Sequence, residues 1–300
     1  MKTSLGINTG FAVNRYPEAM EWAGIIAKAG VSNVQLTADI INVSLPEVIL
    51  QSQTKKIISA CEHFNLKITS CFTGAFTRVN HLAHPDKEIR EYWINWFKRF
   101  AVLTRELGCD TFGSHFGIFS MRDDRDDRIR NLRRSQNISC WHEIAEFSKD
   151  LGIKQIIWEP MSISREQAET ISKCKQLQID ANKNAPLPFK LCLDVDHGDV
   201  MSKNPNDTNP YVWLEEFAKD SPIIHLKQSS ENKAGHWPFT DEYNKLGRIK
   251  PKPVLDALKK GGCEEVEFIL ELSFKEREPF DSIAETSLKE SVDFWNCVNK

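Results

Sequence analysis

Eight short apolar runs, each followed by a longer stretch of helical periodicity, constrain what this 300-residue chain can fold into. They cover residues 4–8, 33–37, 67–72, 111–115, 155–159, 190–194, 223–227 and 266–272. Such runs are typical of parallel strands that are covered on both faces. Because eight β-then-α units follow one another without a composition break or linker, we predict one α/β domain, a closed (β/α)8 TIM barrel over residues 1–300.

A doubly wound open sheet is the structural alternative for this pattern. That fold would lead us to expect a glycine-rich nucleotide loop, G-x-G-x-x-G, after the first strand. The chain reads Leu5-Gly-Ile-Asn-Thr-Gly10 at this point, which does not match that loop.

Local signals predict several helix ends. Glycines stand between a helical pattern and the next strand-like run, where a left-handed cap is expected, at Gly30, Gly108, Gly152 and the pair Gly261-Gly262. Three serines have Glu or Gln three residues later, which is the spacing of a capping box and predicts a helix start at Ser44, Ser164 and Ser282.

Composition limits the class of partner. The chain has 39 basic and 42 acidic residues, so its charge favours neither nucleic acid nor an anionic membrane as a partner. No apolar run approaches the roughly 20 residues that span a bilayer, and the first ten residues lack the apolar stretch of a secretory signal. The eight cysteines are scattered without a C-x-x-C pair. We therefore expect a cytoplasmic protein with reduced cysteines.

Ionisable residues end the last four strand-like runs. Glu159 follows Ile-Ile-Trp, Asp194 follows Cys-Leu, His225 follows Ile-Ile, and Glu271 follows Phe-Ile-Leu. In a barrel these strand ends meet at the carboxyl-terminal mouth, where barrel enzymes keep their active sites. Each residue alone is explained equally well as a polar strand end that backbone or water satisfies. Four consecutive strands with such ends favour one shared site.

A shared site of this composition calls for a positive charge. Three carboxylates at one mouth repel one another unless some are protonated or a cation neutralises them. Three carboxylates with one imidazole suit one divalent metal, Mn²⁺, Mg²⁺ or Co²⁺, and Zn²⁺ also accepts such ligands. We therefore hypothesise one metal bound by Glu159, Asp194, His225 and Glu271, and the sequence leaves the choice of metal open.

Motifs around these residues carry a family resemblance over nearly the whole chain. They are Trp-Glu159-Pro, Leu-Asp194-Val-Asp-His197, His225-Leu-Lys227-Gln and the final Glu271. In them the chain resembles the xylose isomerase-like barrel superfamily of sugar isomerases and epimerases, which also includes the type IV apurinic endonucleases. The resemblance to its tagatose and psicose 3-epimerases implies that the four strand-end residues bind the metal and that His197 contacts the substrate.

Further motifs give a narrower resemblance. They include Asn-Thr-Gly-Phe-Ala-Val-Asn-Arg15, Phe-Thr-Arg78-Val-Asn-His81, Gly-Ser-His115-Phe-Gly and Gly-His236-Trp-Pro-Phe. These resemble the 3-epimerases of D-erythrulose 1-phosphate in erythritol catabolism. One departure concerns the free-ketose 3-epimerases, which place an arginine six residues after the metal-binding histidine, where this chain has Glu231. Its contacts with the substrate beyond the metal must therefore differ from theirs.

The resemblance implies inversion of C3 of a short ketose phosphate, D-erythrulose 1-phosphate to L-erythrulose 1-phosphate. Removing a proton beside a carbonyl gives an enediolate, whose negative charge a metal stabilises. Inversion needs a base on one face and an acid on the other, and Glu159 and Glu271 on strands five and eight suit these roles. An aldose–ketose isomerase, or a 3-epimerase of another free or phosphorylated sugar, would use the same ligands.

Basic residues near the mouth are candidates for binding the substrate, namely His197, His115, Lys227, His236 and Arg78. Lys227 is favoured for the phosphate because, two residues after His225, it points to the same side of its strand. Three arginines also fall on loops at this face, where a solvated or ion-paired role explains them equally well: Arg15, Arg122 and Arg248.

A type IV apurinic endonuclease is a remote alternative. Its three-zinc site needs more histidines and acids on strands two to four and seven, and near strand two this chain offers only Asp39. The near-neutral charge also lacks the basic surplus that DNA binding favours. We expect a small-molecule sugar phosphate as the partner and leave self-association into a homo-oligomer open.

Overall fold

Eight parallel strands close into a barrel in the structure, a computed structural model that describes residues 1–78, 81–231 and 233–296. The strands are β1 Lys2–Asn8, β2 Asn33–Thr37, β3 Lys67–Phe72, β4 Thr111–His115, β5 Gln155–Glu159, β6 Phe189–Asp194, β7 Ile223–Leu226 and β8 Glu265–Leu270. Strands adjacent along the chain pair with each other, and β8 pairs with β1 to close the ring. The predicted (β/α)8 barrel is confirmed, and the predicted strand ends differ from these by at most two residues.

Helices surround the barrel. They are α1 Ala19–Ala29, α2 Glu47–His63, α3 Lys87–Glu106, α4 Met121–Asp124, α5 Asp127–Asp150, α6 Ile171–Asn182, α7 Pro210–Glu216, α8 Asp241–Leu246, α9 Pro251–Lys260 and α10 Phe280–Asn296. The long helices bury one apolar face against the strands, as α3 does with Trp96, Phe97 and Phe100. None of the described helices combines the length and the apolar character that a membrane span requires.

The helix ends confirm one local signal and contradict the other. Left-handed φ angles of 95°, 78°, 85° and 81° occur at Gly30, Gly108, Gly152 and Gly262, as the glycine pattern predicts. The serine signals are wrong. α2 begins at Glu47 without a side-chain cap, Ser164 lies in a 3-10 helix, and α10 begins at Phe280, before Ser282. The serine spacing also fits short turns, so it does not by itself locate a helix start.

Loops at the carboxyl ends of the strands build the mouth of the barrel. The loop after β7 contains an antiparallel pair of short strands, Gln228–Ser230 and Lys233–Trp237, which we call the loop-7 hairpin. The loop after β4 contains the short helix α4. Three residues from the motifs and cysteines considered above lie outside the described residues, namely Val79, Asn80 and Cys297.

Candidate metal centre and substrate cavity

The two-residue period of the strands brings four ionisable residues to the barrel mouth. A buried cluster, separate from the larger core between strands and helices, contains Phe72, Ile157, Cys192, Ile223 and Ile269. Side chains two residues apart on a strand point to the same side. Two positions after the last four cluster residues stand Glu159, Asp194, His225 and Glu271. These four side chains therefore form the next layer toward the mouth.

The four side chains are close enough to share one ion. One nitrogen or oxygen atom from each lies within 4.8 Å of those of the other three. His225 Nδ1 is 3.3 Å from Glu159 Oε1 and 3.6 Å from Glu271 Oε2. Glu159, Asp194 and His225 are buried, whereas the Glu271 side chain is 25% exposed and lines the cavity above.

Positive groups balance the buried carboxylates. Burial alone would raise the pKa of Glu159, but the charge of His197 and hydrogen bonds from His115 and His225 hold that pKa well below its usual value. Burial is likewise outweighed at Asp194, where the charges of His197 and Lys227 lower the pKa. Both carboxyl groups are therefore ionised at neutral pH.

The pKa values of the basic partners are raised, whereas those of the two carboxyl groups are lowered. Burial would lower the pKa of His225, but the neighbouring Cys192 and Glu271 raise it well above its usual value. For Lys227, burial is outweighed by Asp194 and Glu271, which raise its pKa. The centre therefore pairs the ionised Glu159 and Asp194 with His225 and Lys227, whose protons are held more tightly than usual.

The donor set fits a divalent cation. Three carboxylates and one imidazole nitrogen are oxygen-rich ligands of the kind that Mn²⁺, Mg²⁺ and Co²⁺ accept. Asp194 Oδ2 is buried and accepts no well-oriented hydrogen bond from the described residues, although the Lys227 ammonium lies 2.7 Å away. An acceptor oxygen in this situation is suited to an ion. The residues present can therefore hold a single metal.

Lys227 lies within this centre and does not line the cavity. The sequence predicts it as a phosphate contact, on the correct assumption that it shares the side of its strand with His225. Its ammonium, however, is buried and lies 2.7 Å from Asp194 Oδ2 and 3.9 Å from Glu271 Oε2. It is not among the residues that line the cavity. We therefore assign it to the carboxylates instead.

His115 and His197 contact Glu159 from two sides. His115 Nε2 lies 3.0 Å from Glu159 Oε2, and His197 Nδ1 lies 3.5 Å from Glu159 Oε1. His197 Nδ1 is also 2.9 Å from the Pro160 carbonyl oxygen, which orients its ring. Both histidines line the cavity. They are therefore placed to contact a bound molecule and the Glu159 carboxylate together.

A cavity of about 520 Å³ opens above the four-residue centre. Its wall includes two further predicted substrate contacts, His236 and Arg78. His236, on the loop-7 hairpin, has Nδ1 3.6 Å from Glu271 Oε2. Arg78 Nη1 donates to Glu166 Oε1 at 2.9 Å, and the arginine side chain is 37% exposed. The volume suits a small sugar phosphate.

The three other arginines have structural partners or lie elsewhere. Arg15 lines the cavity, but its guanidinium bonds to Asp281 and to two backbone carbonyls. Arg248 pairs with Asp196 at 2.8 Å and bonds to the Thr208 carbonyl. Arg122 lines a separate cavity and pairs with the adjacent Asp123. The structure therefore does not bring them to the four-residue centre.

The residues beneath His225 were not predicted from the sequence. His225 Nε2 lies 2.7 Å from Gln35 Oε1 and 3.1 Å from Cys192 Sγ. Asn8 Nδ2 donates to the same Gln35 oxygen at 2.7 Å. The sequence does contain one sign of them, a glutamine between Val and Leu in the apolar second run. A buried glutamine needs hydrogen-bond partners, so this residue could have been expected to contact another buried polar group.

Comparison with known proteins gives concordant results. Residues 19–296 match a family model described as xylose isomerase-like TIM barrel. The D-erythrulose 1-phosphate 3-epimerase of Brucella abortus is 41% identical over 297 residues, 98% of this chain and 96% of that protein.

Solved structures share the fold. A protein described as a putative xylose isomerase from Rhodospirillum rubrum superposes with a TM-score of 0.89 at 22% identity, covering 98% of this chain and 99% of that one. A D-psicose 3-epimerase with D-tagatose from Clostridium cellulolyticum gives a TM-score of 0.71 at 12% identity, covering 98% and 99%. At these identities the likeness concerns the fold.

Proposed function

The chain belongs to the xylose isomerase-like TIM barrel family, and on that premise we propose that it is a divalent-metal-dependent isomerase that inverts C3 of D-erythrulose 1-phosphate. The observation that carries the proposal is the Glu159, Asp194, His225 and Glu271 group, whose ligand atoms lie within 4.8 Å of one another. The substrate is proposed from the relative of 41% identity that is named for this activity.

The proposed reaction removes the C3 proton of the ketose phosphate and returns one to the opposite face. A divalent cation at the four-residue centre would supply positive charge to stabilise the enediolate. Glu159 is ionised, so it is suited to accept the proton from one epimer, and Glu271, directly after β8, would serve the other epimer. The two glutamates exchange the roles of base and acid with reaction direction.

Neighbouring side chains would orient the reacting groups. His115 and His197 contact the two oxygens of Glu159 and line the cavity, so they are proposed to hold this carboxylate and to bind substrate oxygens. His236 is proposed to do the same beside Glu271. Restricting these side chains to one geometry lowers the entropic cost of reaching the transition state.

Arg78 is the proposed phosphate contact. Arg78 lies at the cavity wall, its guanidinium pairs with Glu166, and its side chain is 37% exposed. A guanidinium offers a planar pair of donors that matches a phosphate. Lys227, by contrast, is proposed to neutralise Asp194 and not to bind phosphate.

We further propose that residues 1–300 form a single catalytic domain that acts in the cytoplasm. The barrel uses strands from Lys2 to Leu270 without interruption by a second fold. The seven described cysteines are free and buried, as reduced thiols would be.

Isotope exchange tests the proposed reaction. Metal-loaded protein would be incubated with D-erythrulose 1-phosphate in D₂O, and the product analysed by NMR. Deuterium at C3 with formation of the L-epimer is the expected result. Deuterium at C1, or an aldose product, would instead support an aldose–ketose isomerase. Absence of exchange with this and other ketose phosphates would reject the proposal.

Metal content separates the proposal from the endonuclease alternative. The four-residue group is proposed to bind one divalent ion per chain, whereas a type IV apurinic endonuclease needs three. The measurement is elemental analysis of protein that was dialysed after loading. Three ions per chain together with cleavage of DNA at abasic positions would favour the nuclease.

A further inference from the structure

A chain of buried amides connects the backbone of Gly10 to His225. The Gly10 N–H donates to Asn8 Oδ1 at 2.7 Å, and Asn8 Nδ2 donates to Gln35 Oε1 at 2.7 Å. His225 Nε2 lies 2.7 Å from that same Gln35 oxygen. Asn8, Gln35 and His225 are all buried, so the contacts at Gln35 are shielded from water, whereas the contact with Gly10 is only partly buried.

The first link determines the direction of all the others. A backbone N–H only donates, so the atom of Asn8 that faces Gly10 must be the amide oxygen. The Asn8 NH₂ group then faces Gln35 and requires an acceptor, which orients the Gln35 oxygen toward it. This orientation agrees with the other end of Gln35, where Nε2 donates to Ser70 Oγ at 3.1 Å.

The orientation of Gln35 fixes the hydrogen on His225. An amide oxygen only accepts, so His225 must carry a hydrogen on Nε2. Cys192 Sγ, at 3.1 Å from the same nitrogen, offers the alternative of a thiol that donates to a bare Nε2. The oxygen at 2.7 Å is the stronger partner, since sulfur is a weak donor and acceptor. In the neutral ring that a metal ion requires, the hydrogen stays on Nε2, so the Nδ1 lone pair faces Glu159 and Glu271.

We propose that Gln35 is a positioning residue that fixes the tautomer of His225, so that Nδ1 is available to a metal ion. The inference rests on the proposed function, because it assigns a role to Gln35 only if the four-residue centre binds a metal. Partners of this kind orient the ligand ring and raise its basicity, and their loss commonly reduces metal affinity about 10- to 100-fold.

Nuclear magnetic resonance tests the tautomer in the unaltered protein. Zn²⁺-loaded protein with ¹³C-labelled histidine would be recorded, and His225 assigned as the resonance that is absent from His225→Gln. The ring-carbon shifts distinguish a hydrogen on Nε2 from one on Nδ1. We expect the hydrogen on Nε2. A hydrogen on Nδ1 with metal bound through Nε2 would overturn the inference without any substitution at Gln35.

Metal affinity tests the role of Gln35. Metal-free protein would be titrated with Co²⁺ and followed by visible absorption. Gln35→Leu removes the acceptor and should weaken binding about 10- to 100-fold, whereas Gln35→Glu keeps an acceptor oxygen and should stay within about threefold of the wild type. The matched control is Gln178→Leu, a buried glutamine that bonds to Trp158 Nε1 and the Phe189 carbonyl. It should bind Co²⁺ like the wild type.

The outcomes separate the two proposals. Failure of the wild type to bind Co²⁺ would reject the proposed metal-dependent function, and the role of Gln35 with it. Binding by the wild type together with unchanged affinity in Gln35→Leu would reject the role of Gln35 alone. An equal loss of Co²⁺ affinity in Gln35→Leu and Gln178→Leu would show that the loss comes from general destabilisation, which also contradicts the inference.

Discussion

Lys227 Nζ lies 2.7 Å from Asp194 Oδ2, and both side chains are buried beneath the cavity at the barrel mouth. Three carboxylates and one imidazole occupy the same layer. The ammonium is therefore part of the charge balance of the centre. Removing one partner of a buried ion pair leaves the other charge uncompensated, at a cost of about 3–5 kcal/mol.

We expect Lys227→Met to destabilise the metal-free protein by about 3–5 kcal/mol. With a bound divalent ion the loss should be much smaller, because the ion then balances Asp194. The measurement is urea unfolding in EDTA and in saturating Mn²⁺. Lys190→Met is the control, since its pair with Asp220 is 33% and 44% exposed and should contribute under about 1 kcal/mol. The same loss with and without metal would contradict this role.

Glu159→Gln and Glu271→Gln should each lower turnover of both epimers of erythrulose 1-phosphate. Proton transfer by a positioned side chain increases the rate roughly 10²- to 10⁴-fold, and the amide of glutamine cannot accept or donate that proton in place of the carboxyl group. The measurement is kcat in each direction, with deuterium incorporation at C3. Glu265→Gln, which breaks an exposed pair with Lys2 at the opposite end of the barrel, should leave the rate unchanged. Near-normal rates in either glutamine variant would exclude the two-base mechanism.

The layer of ionisable residues could be predicted because it depends only on local periodicity. Along each strand, every second side chain points into the barrel. An acid or histidine two positions after an interior residue, at the strand end, therefore faces the mouth. Glu159 follows Ile157 in this way, and Glu271 follows Ile269. The same rule places Lys227 on the side of His225. The partner of Lys227 was not predictable, since the depth of each side chain depends on how the strands are staggered around the barrel.

The contact between Gln35 and His225 could not be predicted from local sequence patterns. The two residues are 190 positions apart, on β2 and β7, which do not pair. Their meeting requires the barrel diameter and strand stagger, which no local pattern encodes. The arginines illustrate the same limit, because whether Arg15 binds Asp281 or a substrate depends on the path of α10. Charged loop residues therefore remained ambiguous in the sequence.

Arg78→Met should raise the KM for erythrulose 1-phosphate about 10- to 100-fold, which corresponds to roughly 1.4–2.8 kcal/mol, and change kcat less. The reason is the loss of paired donors to the phosphate, which Arg78→Lys would restore only in part. Steady-state kinetics with the phosphorylated sugar and with free erythrulose checks this. Arg99→Met, at an exposed pair with Glu47, is the control. An equal effect on both sugars would show that Arg78 does not contact the phosphate.

Gly113→Ala should lower both stability and kcat because it disturbs the packing of two strands in the barrel wall. A Cβ at Gly113 would lie 1.8 Å from the backbone oxygen of Ile157, its partner on β5, so β4 and β5 must separate. Because His115 is two residues further along β4 and 3.0 Å from Glu159 Oε2, the separation would also displace this contact. We expect a loss of stability of about 1–3 kcal/mol together with reduced kcat.

Gly108→Ala separates this effect from ordinary backbone strain. Gly108 has a φ of 78° with open space around it, so alanine there should cost about 1–2 kcal/mol without moving any strand. Urea unfolding and kcat would be measured for both variants. The expected pattern is a comparable loss of stability in the two, but a loss of turnover in Gly113→Ala alone. Normal turnover in Gly113→Ala would mean that β4 can move without disturbing His115, and that the position of this histidine does not limit the reaction.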